Sequence, residues 1–168
     1  MKIKLYVLLL TLLATLLTSC AAVGTKSQPL PVVLNVTGSK VATEMKDWNG
    51  YKSLWHKAMK KKVVATGRQL TIKEGDMIIP KEPGTLVEIS INDYSWVSVS
   101  TRFATGVSTD DAWVDVKIRL IDLPSGKQVG ELSYDRSSSR QLGGEFVIMT
   151  ETQVAKICQE IVAEIQKQ

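Results

Sequence analysis

The chain reads as an α+β domain of two layers, an antiparallel or mixed sheet of about four to five strands with two helices packed on it. Three observations predict this. Two segments, Tyr51 to Val63 and Val154 to Ile165, carry apolar residues at helical spacing. Between them the apolar period changes to two. The cleanest alternation, Ala112 to Leu120, is followed by a turn sequence and a return strand, which together predict a β-hairpin.

The elements follow in order. Residues 32–36 (Val, Val, Leu, Asn, Val) read as a first strand. Asp47 to Gly50 offers capping chemistry for a helix. In that helix Tyr51, Leu54, Trp55, Ala58, Met59 and Val63 share a face. Lys60, Lys61 and Lys62 sit near its C-terminal end, where cations complement the helix dipole, and Gly67 is a plausible stop. Leu70 and Ile72 alternate with polar neighbours. Glu74, Gly75 and Asp76 mark a turn, Met77 to Ile79 is a short apolar piece, and Pro80, Pro83 and Gly84 form a second break. Val87, Ile89 and Ile91 predict a strand running on through Trp96, Val97 and Val99 toward Phe103, with a bulge near Tyr94.

Gly106 to Asp111 is the next turn. In the strand after it, Ala112, Val114, Val116, Ile118 and Leu120 face the core, and Trp113, Asp115, Lys117 and Arg119 face water. Pro124 to Lys127 reverses the chain, and residues 128–135 return with Leu132 and Tyr134 on one face. Residues 136–144 form a polar loop, and Phe146 to Met149 is a short apolar piece. The closing helix, from Thr150 or Thr152, carries Val154, Ile157, Cys158, Ile161, Val162 and Ile165 on its apolar stripe. No internal repeat occurs.

The first 31 residues are of another kind. Lys2 and Lys4 precede an unbroken apolar run from Leu5 to Leu17. At 13 residues it is shorter than the roughly 20 a spanning helix needs. Charged start, apolar middle and small residues at the end describe a secretory signal peptide. Ala14 and Ala22 would suit an ordinary cut. The specific ending Leu17-Thr18-Ser19-Cys20, however, resembles the lipobox of bacterial lipoproteins. That resemblance implies cleavage before Cys20 and lipidation of its thiol and new amino terminus, an anchor in the membrane. Ala21 and Ala22 follow, without the Asp typical of lipoproteins held at the inner membrane of enteric bacteria, so the analogy favours the outer membrane, facing the periplasm.

The expected organisation is therefore a signal peptide at 1–19, a lipidated tether at 20–31 and one periplasmic domain at 32–168. Residues 21–31 reach at most about 35–40 Å when extended, which holds the domain near its membrane. Of 21 basic residues the leader holds two, so 19 remain against 17 acidic ones. That small excess does not argue for nucleic acid as a partner, nor does the compartment. With Cys20 lipidated, Cys158 has no partner in the chain, and is either a small buried hydrophobe or an unpaired thiol open to intermolecular bonding.

No constellation for catalysis stands out. His56 is the only histidine, sits beside Trp55 in a helix and reads as a surface residue. No nucleophile-elbow pattern accompanies it, and one histidine with a lipidated cysteine cannot build a thiolate/imidazole zinc site. Asp110, Asp111 and Asp115 match no calcium loop and read as turn and wet-face residues, as do Glu74 and Asp76. The expectation is a chain that is not an enzyme and carries no metal or cofactor.

A possible binding surface does suggest itself. Ser137, Ser138 and Ser139 lie between Arg136 and Arg140 and are followed by Gly143 and Gly144; backbone amides of such a loop suit an anion. Trp48, Trp96 and Trp113 are candidate contact residues. Trp113 is the most pointed, since an aromatic on a wet strand face often marks an interface. Lys60 to Lys62 could face anionic head groups.

From Leu86 to Leu132 the chain resembles an uncharacterised bacterial lipoprotein family, the domain of unknown function 4410 group. The resemblance rests on the strand Val87 to Tyr94, on Ala112 to Leu123 with Asp122, on Ser125, Gly126 and Lys127 in the reversal, and on the closing helix. It implies no catalytic residues. The function expected is a non-enzymatic, membrane-anchored envelope lipoprotein presenting a surface to a protein partner in assembly, secretion or cell-wall maintenance. The alternatives are a module binding a small ligand, lipid or glycan, and an inhibitor of a lysozyme-like enzyme acting through residues 136–144.

Overall fold

A computed structural model describes residues 29–75, 78, 81–96, 113–137 and 149–168. They form β1 (Val32–Gly38), α1 (Lys40–Thr43), α2 (Trp48–Val64), β2 (Leu70–Ile72), β3 (Thr85–Ser95), β4 (Trp113–Asp122), β5 (Gln128–Tyr134) and α3 (Met149–Gln166). The strands make one five-stranded sheet in the order β2-β1-β3-β4-β5. β1 runs parallel to both β2 and β3, whereas β3–β4 and β4–β5 are antiparallel. The sheet is mixed, and the class is α+β. Parallel neighbours need a long crossover, and α1 with α2 supplies the one between β1 and β2.

The helices cover one face. Val32, Leu34 and Val36 of β1, Val87, Ile89 and Ile91 of β3, and Val114, Val116, Ile118 and Leu120 of β4 are buried there. They meet Tyr51, Trp55, Met59 and Val63 of α2 and Val154, Ile157, Cys158, Ile161 and Ile165 of α3. Cys158 is free and fully buried, and that burial pushes its thiol pKa well up. It is a small core residue, not an available thiol. On the opposite face Arg119 pairs with Glu88 at 2.6 Å and Lys117 with Glu131 at 3.0 Å. Such exposed pairs contribute at most about 1 kcal/mol each, so the buried face carries the stability.

One feature differs from the sequence expectation. A third helix, the four-residue α1, precedes α2. Its cap is Ser39, whose Oγ accepts from the Ala42 amide at 3.1 Å and donates to the Asn92 carbonyl. The bulge expected near Tyr94 falls in β3 between Ile91 and Asp93. One extra residue reverses the side-chain parity of the strand. Asp93 thereby turns outward opposite Asp115, and Tyr94 turns into the core opposite Val114.

The β4–β5 hairpin turns where expected, with Gly126 at φ 66°. Asp122 Oδ2 accepts from the Ser125 amide at 3.1 Å and also from its hydroxyl, which closes the turn. Gly67, at φ 76°, ends the segment after α2.

Candidate functional site

The strand directions sort the molecule into two ends. β1 and β3 start at one end, and β4 finishes there. Residues 29–31 enter at this end and are already part of the domain. The Leu30 carbonyl accepts from Arg68 Nη1 at 2.9 Å, and the Pro31 carbonyl accepts from the Thr85 amide at 3.0 Å. A Cβ on Gly84 would stand 2.8 Å from the Pro31 oxygen, which is why glycine is needed there. Residues 29–31, expected as the end of the tether, are thus held against the domain by these bonds. A cavity of about 260 Å³ opens here, with Leu30, Arg68, Asp122, Ser125, Lys127 and Val129 in its wall. We call this the tether end.

Of the residues singled out from sequence, the far end holds Trp48, Trp96, Trp113, Arg136 and Ser137. Trp113 opens β4 opposite Ser95. It is half-buried on the outward face, as the alternation implied, and the Arg136 guanidinium carbon lies 3.8 Å from its ring centroid. A cation over an indole face contributes about 0.5–1 kcal/mol at an exposed site. Ser137 follows Arg136 and is exposed. The structure thus brings Trp113 and Arg136 together, with Ser137 next to Arg136 in the chain. Ser138, Ser139, Arg140, Gly143 and Gly144 lie outside the described residues, as do Cys20, Asp76, Asp110, Asp111 and the strand extension 97–103.

The same end carries an aromatic cluster that forms where α2 meets the end of β3. The Tyr51 and Tyr94 rings stack at 4.0 Å and 7°. Trp96 lies 6.0 Å from Tyr51, Trp48 lies 6.3 Å from Tyr94, and Trp55 meets Tyr51 edge-on at 6.4 Å. Tyr51, Trp55 and Tyr94 are buried, while Trp48 and Trp96 are half-buried. Two glycines give the outer indoles room: a Cβ on Gly38 would stand 2.7 Å from the Trp48 ring, and one on Gly50 2.8 Å from the Trp96 ring. Trp48, Tyr51 and Trp55 fall at helical spacing, the one signal in the sequence that pointed here. Burial raises the Tyr51 pKa; burial and then the Asp47 carboxylate raise that of Tyr94. Both phenols stay protonated, and the Tyr94 hydroxyl donates to Asp47 Oδ1.

Beside the cluster, Asn92 Nδ2 donates to Asp115 Oδ1 at 3.1 Å, and Asp93 Oδ1 accepts from the Tyr94 amide at 2.8 Å. Among the described residues no three His, Cys, Asp or Glu side chains gather as for a metal ion.

His56 departs from the surface position expected of it. It is half-buried, and its Nε2 is buried with no hydrogen-bond partner. Burial, then Lys52, lowers its pKa, against a weaker opposite pull from Glu74. Of the lysine run, Lys62 donates to Gln159 Oε1 at 3.0 Å and ties α2 to α3, while Lys60 and Lys61 are exposed. Among the described residues no helix is long and apolar enough to cross a membrane.

No family model and no curated protein matches the chain. Solved structures similar to it include a PelC dodecamer from Paraburkholderia phytofirmans, at 14% identity and a TM-score of 0.45, covering 79% of this chain and 89% of that one. Another is the protein XCC0632 from Xanthomonas campestris, of the DUF330 family, at 9% identity and a TM-score of 0.48, covering 83% and 88%. A third is a putative neuraminyllactose-binding hemagglutinin homolog from Helicobacter pylori, at 10% identity and a TM-score of 0.37, covering 83% and 82%. At this distance these likenesses carry no functional assignment.

Proposed function

We propose that this chain is a non-enzymatic lipoprotein of the cell envelope. Lipid on Cys20 anchors it, and the end of the domain remote from the tether meets a protein partner. One observation carries the reading. The chain enters the domain through Leu30 and Pro31 at one end, held by Arg68 and Thr85, whereas Trp113, Arg136 and the Trp48–Trp96 aromatic cluster lie at the other. An anchor at Cys20 holds the first end near the bilayer and leaves the second end free to meet a partner. Half-buried tryptophans and an arginine are the residue types that dominate protein interfaces, and locked rings bind with little entropy to lose.

The test is site-specific photo-crosslinking in living cells, with the photoreactive residue at position 113, 48 or 129. The reading expects one discrete crosslinked species from 113 and 48, abolished by Arg136→Ala for 113, and none of that species from 129. The same species from all three positions, or none from 113 and 48, contradicts it.

A further inference from the structure

The tether end has its own chemistry. Five large hydrophobic residues are exposed among the described ones, and three of them, Leu30, Val64 and Val129, are here, at 48%, 54% and 42% exposure. Leu30 and Val129 line the same cavity. Val64 ends α2, three residues before Gly67, which shares a second cavity with Leu30. Between and around them stand cations: Arg68 and Lys127 in the wall of the first cavity, and the exposed Lys61 in the last turn of α2. Of the carboxylates at this end, Glu164 is paired with Lys167 at 2.6 Å and Asp122 accepts from Ser125, while Glu82 is exposed beside Lys81 in sequence. Apolar side chains ringed by unpaired positive charge suit the boundary between head groups and acyl chains. They are a poor fit to water, and the cations are a poor fit to a purely apolar partner.

We infer that the tether end is a docking surface for an anionic phospholipid bilayer, with Leu30, Val64 and Val129 dipping among the head groups and Lys61, Arg68 and Lys127 facing their phosphates. The inference rests on the anchor at Cys20. Only eight residues separate Cys20 from Pro29, a span of at most about 30 Å, so this end of the domain is the one held beside the membrane. Charge complementarity then makes the bilayer itself the occupant. Binding through the surface orients the domain, where the tether alone would leave it free to tumble, and it keeps the aromatic end directed outward.

The test uses the acylated protein isolated from membranes and reconstituted in nanodiscs. A fluorophore is placed on Val129→Cys or, as the control, on Val41→Cys, an exposed residue in α1 at the other end. Cys158 is buried and does not compete for label. The readout is quenching by a head-group spin-labelled lipid, in discs of phosphatidylcholine alone or with phosphatidylglycerol added. Expected is strong quenching at 129 and little at 41, only in the anionic discs and weakened by salt. Neutralising Lys61→Gln with Lys127→Gln, both on exposed side chains, lowers the ratio of docked to undocked protein about 25-fold, at roughly fivefold per charge near the surface. Equal quenching at both positions, quenching indifferent to lipid charge, or no response to the neutralised pair overturns the docking surface. Mass spectrometry of the Cys20 peptide on the same sample scores the anchor separately: acylated protein without oriented quenching refutes this inference alone, whereas unmodified Cys20 refutes the anchor and this inference with it.

Discussion

The Tyr94 hydroxyl donates to Asp47 Oδ1 at 2.7 Å, across 47 residues of sequence. Asp47 stands at the N-cap position of α2 but makes no side-chain capping bond there. Its carboxylate instead ties the start of the helix to the end of β3, just past the bulge that turns Tyr94 inward. A bond to a charged acceptor is worth about 1.5–3 kcal/mol when part-buried. Tyr94→Phe should therefore cost about 1.5 kcal/mol in urea unfolding, with little change in m. Tyr134→Phe, which loses a bond to the exposed Glu160, should cost less. An unaltered midpoint for Tyr94→Phe would mean that water replaces the bond without loss.

Gly50→Ala sets two effects against each other. Within a helix the change usually stabilises by about 1 kcal/mol. Here the new methyl meets the Trp96 ring at 2.8 Å, and overpacking of this kind costs about 1–3 kcal/mol. The variant should be no more stable than the parent, and its near-ultraviolet circular dichroism should change as Trp96 shifts from Tyr51. A gain of a full helix-propensity increment with an unchanged aromatic signal would refute the close contact.

The single histidine gives a pH signature. Burial depresses the folded-state pKa of His56 below its ordinary 6.5. The unfolded chain then takes up the proton first, so this contribution to stability is intact above about pH 6.5 and is lost as pH falls toward the depressed folded value. Unfolding midpoints between pH 7.5 and 5 should fall for the parent and fall less for His56→Gln. Parallel slopes would show that His56 is not desolvated.

Cys158 should be silent in the native state. Its thiol is fully buried with a raised pKa, and only a thiolate attacks a disulfide reagent. At pH 8 the folded protein should react with Ellman's reagent only as fast as it opens, and the urea-unfolded protein at once. Rapid native reaction would contradict the core assignment.

The parts of the fold legible in the sequence are those set by local period. Val114, Val116, Ile118 and Leu120 announced their buried face two residues at a time, and Val154 to Ile165 did so at helical spacing. What was not legible depends on partners far along the chain. α1 is four residues long, too short to show a period, and its cap Ser39 bonds to Asn92, 53 positions away. The bulge near Tyr94 was expected, but its exact register is fixed by β4 and by Ser39, whose amide donates to the Ile91 carbonyl. The pairing of β1 with both β2 and β3 has no local signature at all. Of the candidate surface, Trp113 lay where alternation put it. Its cover by Arg136, and the stack of Tyr51 on Tyr94, arise only when separate elements meet.

The account turns on Cys20, because the anchor is what holds the tether end of the domain near the bilayer. The most direct measurement is mass spectrometry of the N-terminal peptide of the protein isolated from membranes. The expected peptide begins at Cys20 and carries acyl chains on its thiol and amino group, and Cys20→Ala moves the protein out of the membrane fraction. A peptide beginning elsewhere, or at an unmodified Cys20, would contradict the account.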